Sequence, residues 1–102
     1  MNQLAIDVPE SGIREFCEKN RIRKLALFGS VLRDDFRPDS DVDVLVAFGP
    51  GRGITFDNRV AMTDELSAIL RRPADLVDVR HIRNPFRRRT ILTTKETLYA
   101  AD

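Results

Sequence analysis

Gly29-Ser30, ten intervening residues and then Asp41-Val42-Asp43 form the stretch of this 102-residue chain with most chemical content. Asp41 and Asp43 are two apart in an apolar run, so on a strand both side chains reach the same face. Carboxylates side by side repel each other and lose hydration unless a cation lies between them. Mg²⁺ takes hard oxygen ligands of this kind and shares its remaining positions with nucleoside triphosphate (NTP) oxygens. A glycine closing a strand lets backbone N–H groups come close to a phosphate. Ser30 can donate its hydroxyl to that phosphate, and can cap a short helix from Val31 whose N-terminus favours an anion. A third carboxylate on a neighbouring strand would complete a two-metal site. Asp75, opening the run Asp75-Leu76-Val77-Asp78-Val79, is the candidate. Asp78 has opposite parity and should face away from it. Arg33 could contact a phosphate or pair with a nearby Asp. A Gly-Ser pair alone usually marks a turn and a cap, and Asp-x-Asp alone is commonly a solvated pair; the two together at this spacing favour a site.

These residues need a frame. Asp7-Val8-Pro9-Glu10 offers a helix start, with a capping Asp and an early Pro, and Ile13, Phe16 and Cys17 then share one face. Leu25 to Phe28 is a short apolar run ending at Gly29 and reads as a buried strand. Val42 to Phe48, rich in Val, reads as a second, central strand. Gly49-Pro50-Gly51-Arg52-Gly53 is a loop by composition. Phe56, Val60, Thr63, Leu66, Ser67 and Leu70 describe one stripe of a helix from about Thr55 to Arg71, stopped by Pro73. Leu76 to Val79 is a third strand. Asn84-Pro85 can begin a last helix carrying Phe86, Thr90 and Ile91 inward and arginines outward. Thr97 to Ala100 could be an extended edge segment. The order predicts an α/β (α+β) fold: a small mixed β-sheet flanked by helices.

The length suits one domain, 1–102, with one core. Apolar residues at 42% and charged residues at 32% exclude a disordered chain. No apolar run spans a bilayer, and Met1-Asn2-Gln3-Leu4 does not begin a signal peptide. One cysteine excludes an internal disulfide framework and suits a reducing cytoplasm. The net charge is only +1, but Asp34 to Asp43 holds five carboxylates against one arginine, and Arg71 to Lys95 holds eight Lys/Arg against two Asp. A cation site beside a polyanion site needs such a pairing, although many surfaces show it. Nucleic acid could bind through Arg71 to Lys95, and the near-neutral total charge argues against it.

The words Phe28-Gly29-Ser30, Arg33, Ser40-Asp41-Val42-Asp43 and Ala74-Asp75-Leu76-Val77 resemble the signature of the DNA polymerase beta superfamily of nucleotidyltransferases, and most closely its minimal (MNT-type) branch. The resemblance covers roughly Lys24 to Leu98. It implies a polymerase-beta-like nucleotidyltransferase fold. It also implies that Gly29 and Ser30 hold nucleotide phosphate, with Arg33 beside them, and that Asp41, Asp43 and Asp75 hold two Mg²⁺ ions and are the catalytic residues. Attack of an acceptor hydroxyl on the α-phosphate would then release pyrophosphate.

Members of this branch are often encoded beside a HEPN-domain toxin and act as its antitoxin; some transfer AMP from ATP to a tyrosine of that toxin. Larger relatives such as kanamycin nucleotidyltransferase carry an added domain that holds the acceptor. A chain ending at Asp102 has no room for one, so a separate partner would bring the acceptor. The alternative is an antitoxin that neutralises by binding alone. Cys17 is expected in the core and His81 as structural or surface. Tyr99 should be packed at an edge. Arg87-Arg88-Arg89 could be a solvated helix face, or could meet a partner's acidic surface, a phosphate tail or RNA.

Overall fold

A computed structural model describes residues 8–32 and 41–101. Three α-helices and four strands follow the order α1 (Glu10–Lys19), β1 (Ile22–Phe28), a 3₁₀ turn (Gly29–Leu32), β2 (Val42–Phe48), α2 (Phe56–Leu70), β3 (Ala74–Asp78), a second 3₁₀ turn (Val79–His81), α3 (Pro85–Thr94) and β4 (Glu96–Ala100). The sheet order is β3-β2-β1-β4. β2 and β3 run parallel, joined by α2, and β1 is antiparallel to both β2 and β4. The expected mixed sheet with flanking helices is therefore present.

The two central strands are covered on both faces, which is why they read as nearly continuous apolar runs. Ile22, Leu25 and Leu27 of β1, with Val42, Val44 and Val46 of β2, face α1 and α2 and pack with Ile13, Phe16, Cys17, Met62, Leu66 and Leu70. Ala26, Phe28 and Leu45 face the other way and meet Ile82 and Ile91. This second core is thinner: among the described residues, α3 is the one helix that covers that face, with Ile82 beside it. Cys17 is fully buried, and burial, with Glu18 beside it, pushes its thiol up from 9.0 to about 12. It is core filler rather than a nucleophile.

Several local expectations need correction. α1 starts at Glu10 with Pro9 in the cap position and no side-chain cap; Asp7 lies outside the described residues. β1 begins at Ile22, three residues earlier than Leu25, and β3 ends at Asp78. α2 does start after Thr55, whose side chain forms a capping box with Asn58. Its stripe is displaced, however: Met62, Leu66 and Leu70 are buried, while Phe56 is 97% and Val60 68% exposed. At about 100° per residue, Val60 lies roughly 120° round the helix from Leu66. Phe86 is likewise 83% exposed, because it lies about 140° round from the buried Ile91, and Thr90 is exposed as well. His81 is exposed. Tyr99 is half-buried on edge strand β4, opposite Leu25. Among the described residues no helix is long and apolar enough to cross a membrane.

Candidate active site

β1 runs into Gly29 at the end where β2 and β3 begin. Phe28 pairs with Asp43, and Asp43 pairs in turn with Asp75 across the parallel strands. Paired residues on neighbouring strands project to the same face, here the face that α3 only partly covers. Asp41 precedes β2 by one residue, is exposed, and lies on the same side as Asp43 by strand alternation.

Gly29 has φ +78°, the left-handed region that favours glycine. A Cβ there would also collide with Asp43 Oδ2, so the glycine backbone lies directly against the carboxylate. The turn that follows is a 3₁₀ segment of four residues rather than a regular helix. Arg33 and the side chain of Ser30 lie outside the described residues.

Asp75 is exposed and does not reach inward alone. Arg59 of α2 passes the free edge of β3, donating to Leu76 O at 3.3 Å and to Asp75 Oδ1 at 3.4 Å. Both partners of this ion pair are about half exposed, so it holds Asp75 only weakly. Among the described residues no three His, Cys, Asp or Glu side chains lie close enough together to hold a metal ion. Asp78 faces away from Asp75, as its parity requires. Its carboxylate is buried and accepts from the backbone N–H and the guanidinium of Arg80. Burial raises its pKa, but those bonds and the charges of Arg80 and His81 outweigh this and hold it below the usual carboxylate value.

A cleft of about 570 Å³ opens beside these residues. Phe28, Gly29, Leu32 and Asp43 form one wall, and Arg87, Thr90, Ile91 and Thr94 of α3 form the other. The second wall was missed as a unit in the sequence, where Arg87 counted only as part of a basic run. The signal was the spacing 87, 90, 91, 94, which describes one helical face. Arg59 was missed altogether, since nothing in its neighbourhood marks it out. A site with a carboxylate and a glycine turn on one side and a guanidinium on the other can hold a cation and a polyanion together.

Residues 11–102 match the family model described as "Polymerase beta, Nucleotidyltransferase". The chain belongs to this family. A "Putative protein adenylyltransferase" of Methanocaldococcus jannaschii is 30% identical over 74 residues, which is 72% of this chain and 74% of that protein. A solved structure described as a "putative minimal nucleotidyltransferase" is 30% identical, with a TM-score of 0.67 over 84% of this chain and 85% of that one. A toxin-antitoxin structure with AMP-PNP superposes with a TM-score of 0.72 at 22% identity, over 93% of this chain and 76% of that chain. A tri-AMPylated Shewanella oneidensis HEPN toxin in complex with an MNT antitoxin gives 0.64 at 22%, over 90% and 70%. At 22% identity, those last two likenesses show the shared fold of a polymerase-beta-type nucleotidyltransferase.

Proposed function

We propose that the chain, as one minimal nucleotidyltransferase domain (1–102), transfers AMP from ATP to a hydroxyl, a tyrosine, of a HEPN-domain toxin and so acts as its antitoxin. The observation that carries the reading is the row Gly29, Asp43, Asp75 across three adjoining backbone segments, of which Gly29 and Asp43 line one cleft. The adenylyltransferase name of the Methanocaldococcus relative and the AMPylated HEPN toxin in the Shewanella complex support the choice of AMP and of partner. A cytoplasmic setting belongs to this reading, and the buried free thiol of Cys17 is in keeping with it.

Asp41, Asp43 and Asp75 are hard oxygen donors of the kind a divalent cation takes, although among the described residues no three such side chains close on one ion, and Arg59 holds Asp75 only weakly. Mg²⁺ bound by them would offset phosphate charge and lower the pKa of the acceptor hydroxyl. The chain's own part is to position. On this reading Gly29 would admit the backbone to a phosphate oxygen, Ser30 and Arg33 would supply donors, and Asp75 would accept the acceptor's proton.

The test is incubation of the folded chain with α-labelled ATP, Mg²⁺ and the HEPN partner. Label should appear on the partner; a partner that stays unlabelled rejects the reading. A second reading, neutralisation by binding alone, is favoured by Asp75 being engaged by Arg59 and by the exposed Phe56 and Val60, which offer apolar contact area. It requires the Asp41→Asn, Asp43→Asn double variant to protect cells still.

A further inference from the structure

We propose that Arg87 is the residue that grips the polyphosphate of the incoming NTP, so that α3 acts as the nucleotide's second wall. The inference rests on the nucleotide-transfer reading above and adds a binding residue to it.

The placement follows from one buried side chain. Ile91 packs against Ala26, Phe28, Leu45 and Ile82 and fixes the rotation of α3 over the sheet. Arg87, one turn before it, is thereby carried onto the cleft wall facing Gly29 and Asp43.

Other arginines around this end of the fold are already engaged. Arg88 donates to Val79 O at 2.7 Å, and Arg59 to Asp75. Arg87 is exposed, and its guanidinium has no hydrogen-bond or ion-pair partner among the described residues. It is therefore the free cation of this cleft among those residues.

The backbone of α3 does not offer a substitute. The N–H groups of Phe86 and Arg87, which an anion at the helix start would use, both donate to Asn84 Oδ1, at 2.9 and 3.1 Å. With Pro85 contributing no N–H, anion recognition from this helix falls to a side chain. A guanidinium presents a planar fork of donors that matches two phosphate oxygens at once. It faces the carboxylate wall across the cleft, which matches a ligand that is anionic on one side and cation-bound on the other.

The test is calorimetric titration of MgATP and of MgAMP into the full chain and into Arg87→Ala, Arg87→Lys and Arg89→Ala, with thermal melts of each. Arg87→Ala should weaken MgATP by about 10- to 100-fold, the range of a charge-assisted hydrogen bond, and change MgAMP by less than about threefold. Arg87→Lys should recover part of the loss, and Arg89→Ala, off the cleft, should bind as the parent does. Equal ATP affinity in Arg87→Ala and the parent overturns the proposal while leaving nucleotide transfer standing. So does an equal loss for ATP and AMP, or a loss of partner labelling at unchanged ATP affinity, which would put Arg87 against the partner. A parent chain that binds neither nucleotide overturns the transfer reading itself, and the role of Arg87 with it.

Discussion

Asp43 and Asp75 stand opposite each other in the parallel register of β2 and β3, and Gly29 presses on Asp43 from the β1 side. Asp43 is therefore the middle member of the row, flanked by backbone on one side and by a second carboxylate on the other. Two adjacent anions on neighbouring strands work against the sheet. The fold meets this on the Asp75 side with the charge of Arg59, at the exposed edge of β3.

Asp43→Asn keeps the shape of the central member and removes its charge. Label transfer should fall by about 100- to 1000-fold, the scale set by losing one pre-positioned electrostatic group. Unchanged labelling with Asn at 43 would exclude this row from the chemistry.

Arg59→Ala tests whether Arg59 competes with a cation for Asp75. The pair is half exposed on both sides, so stability should change by no more than about 1 kcal/mol. The Mg²⁺ concentration needed for half-maximal ATP binding should drop, because Asp75 no longer has a resident counter-charge. If the requirement rises instead, Arg59 assists the site and does not compete.

Much of this row was legible in the sequence because its spacing is local. Asp41 and Asp43 share a strand, Gly29 closes the strand before it, and Asp75 opens an apolar run, so alternation and turn chemistry place them. The far wall was not legible, because it depends on which way α3 is rotated. That rotation follows the burial of Ile91, and a short helix with apolar Phe86, Ile91 and Leu92 at conflicting angles does not announce it. The same ambiguity turned the stripe of α2: Phe56 and Val60 are as apolar as Met62, and only the position of the sheet decides which are covered. Parity placed Asp78 away from Asp75, but its burial against Arg80 has no periodic signal.

Gly29→Ala introduces two faults at one position. The backbone at φ +78° would cost an L-residue about 1–2 kcal/mol, and the new Cβ would push into Asp43 Oδ2. Denaturant unfolding should report a loss of at least that size. Transfer should fall further than the stability loss explains, because Asp43 is displaced while the protein is still folded. An alanine variant with full activity would mean that Asp43 can move freely, contrary to its central role.

Asp78 and Arg80 lie at the other end of β3 and make a prediction about acid. The Asp78 carboxylate is buried, while Arg80 is 54% exposed and also holds Arg52 O at 2.6 Å, tying the loop after β2 to the sheet. Gly53 belongs to this lock, since a Cβ there would meet the Arg80 guanidinium. Removing that guanidinium by Arg80→Ala leaves Asp78 with a backbone donor only, which should cost about 1–3 kcal/mol. The folded pKa of Asp78 is lowered from 3.8, so the unfolded chain takes up its proton first as the pH falls. The contribution of Asp78 is therefore complete above about pH 4 and disappears as the pH drops through the folded value. Urea unfolding of the parent and of Asp78→Asn from pH 7 to pH 2.5 should show a stability gap that is constant at neutral pH and closes only in the acid range. A gap that stays the same down to pH 2.5 would mean that the charge on Asp78, and hence its bonds from Arg80, adds nothing to the fold.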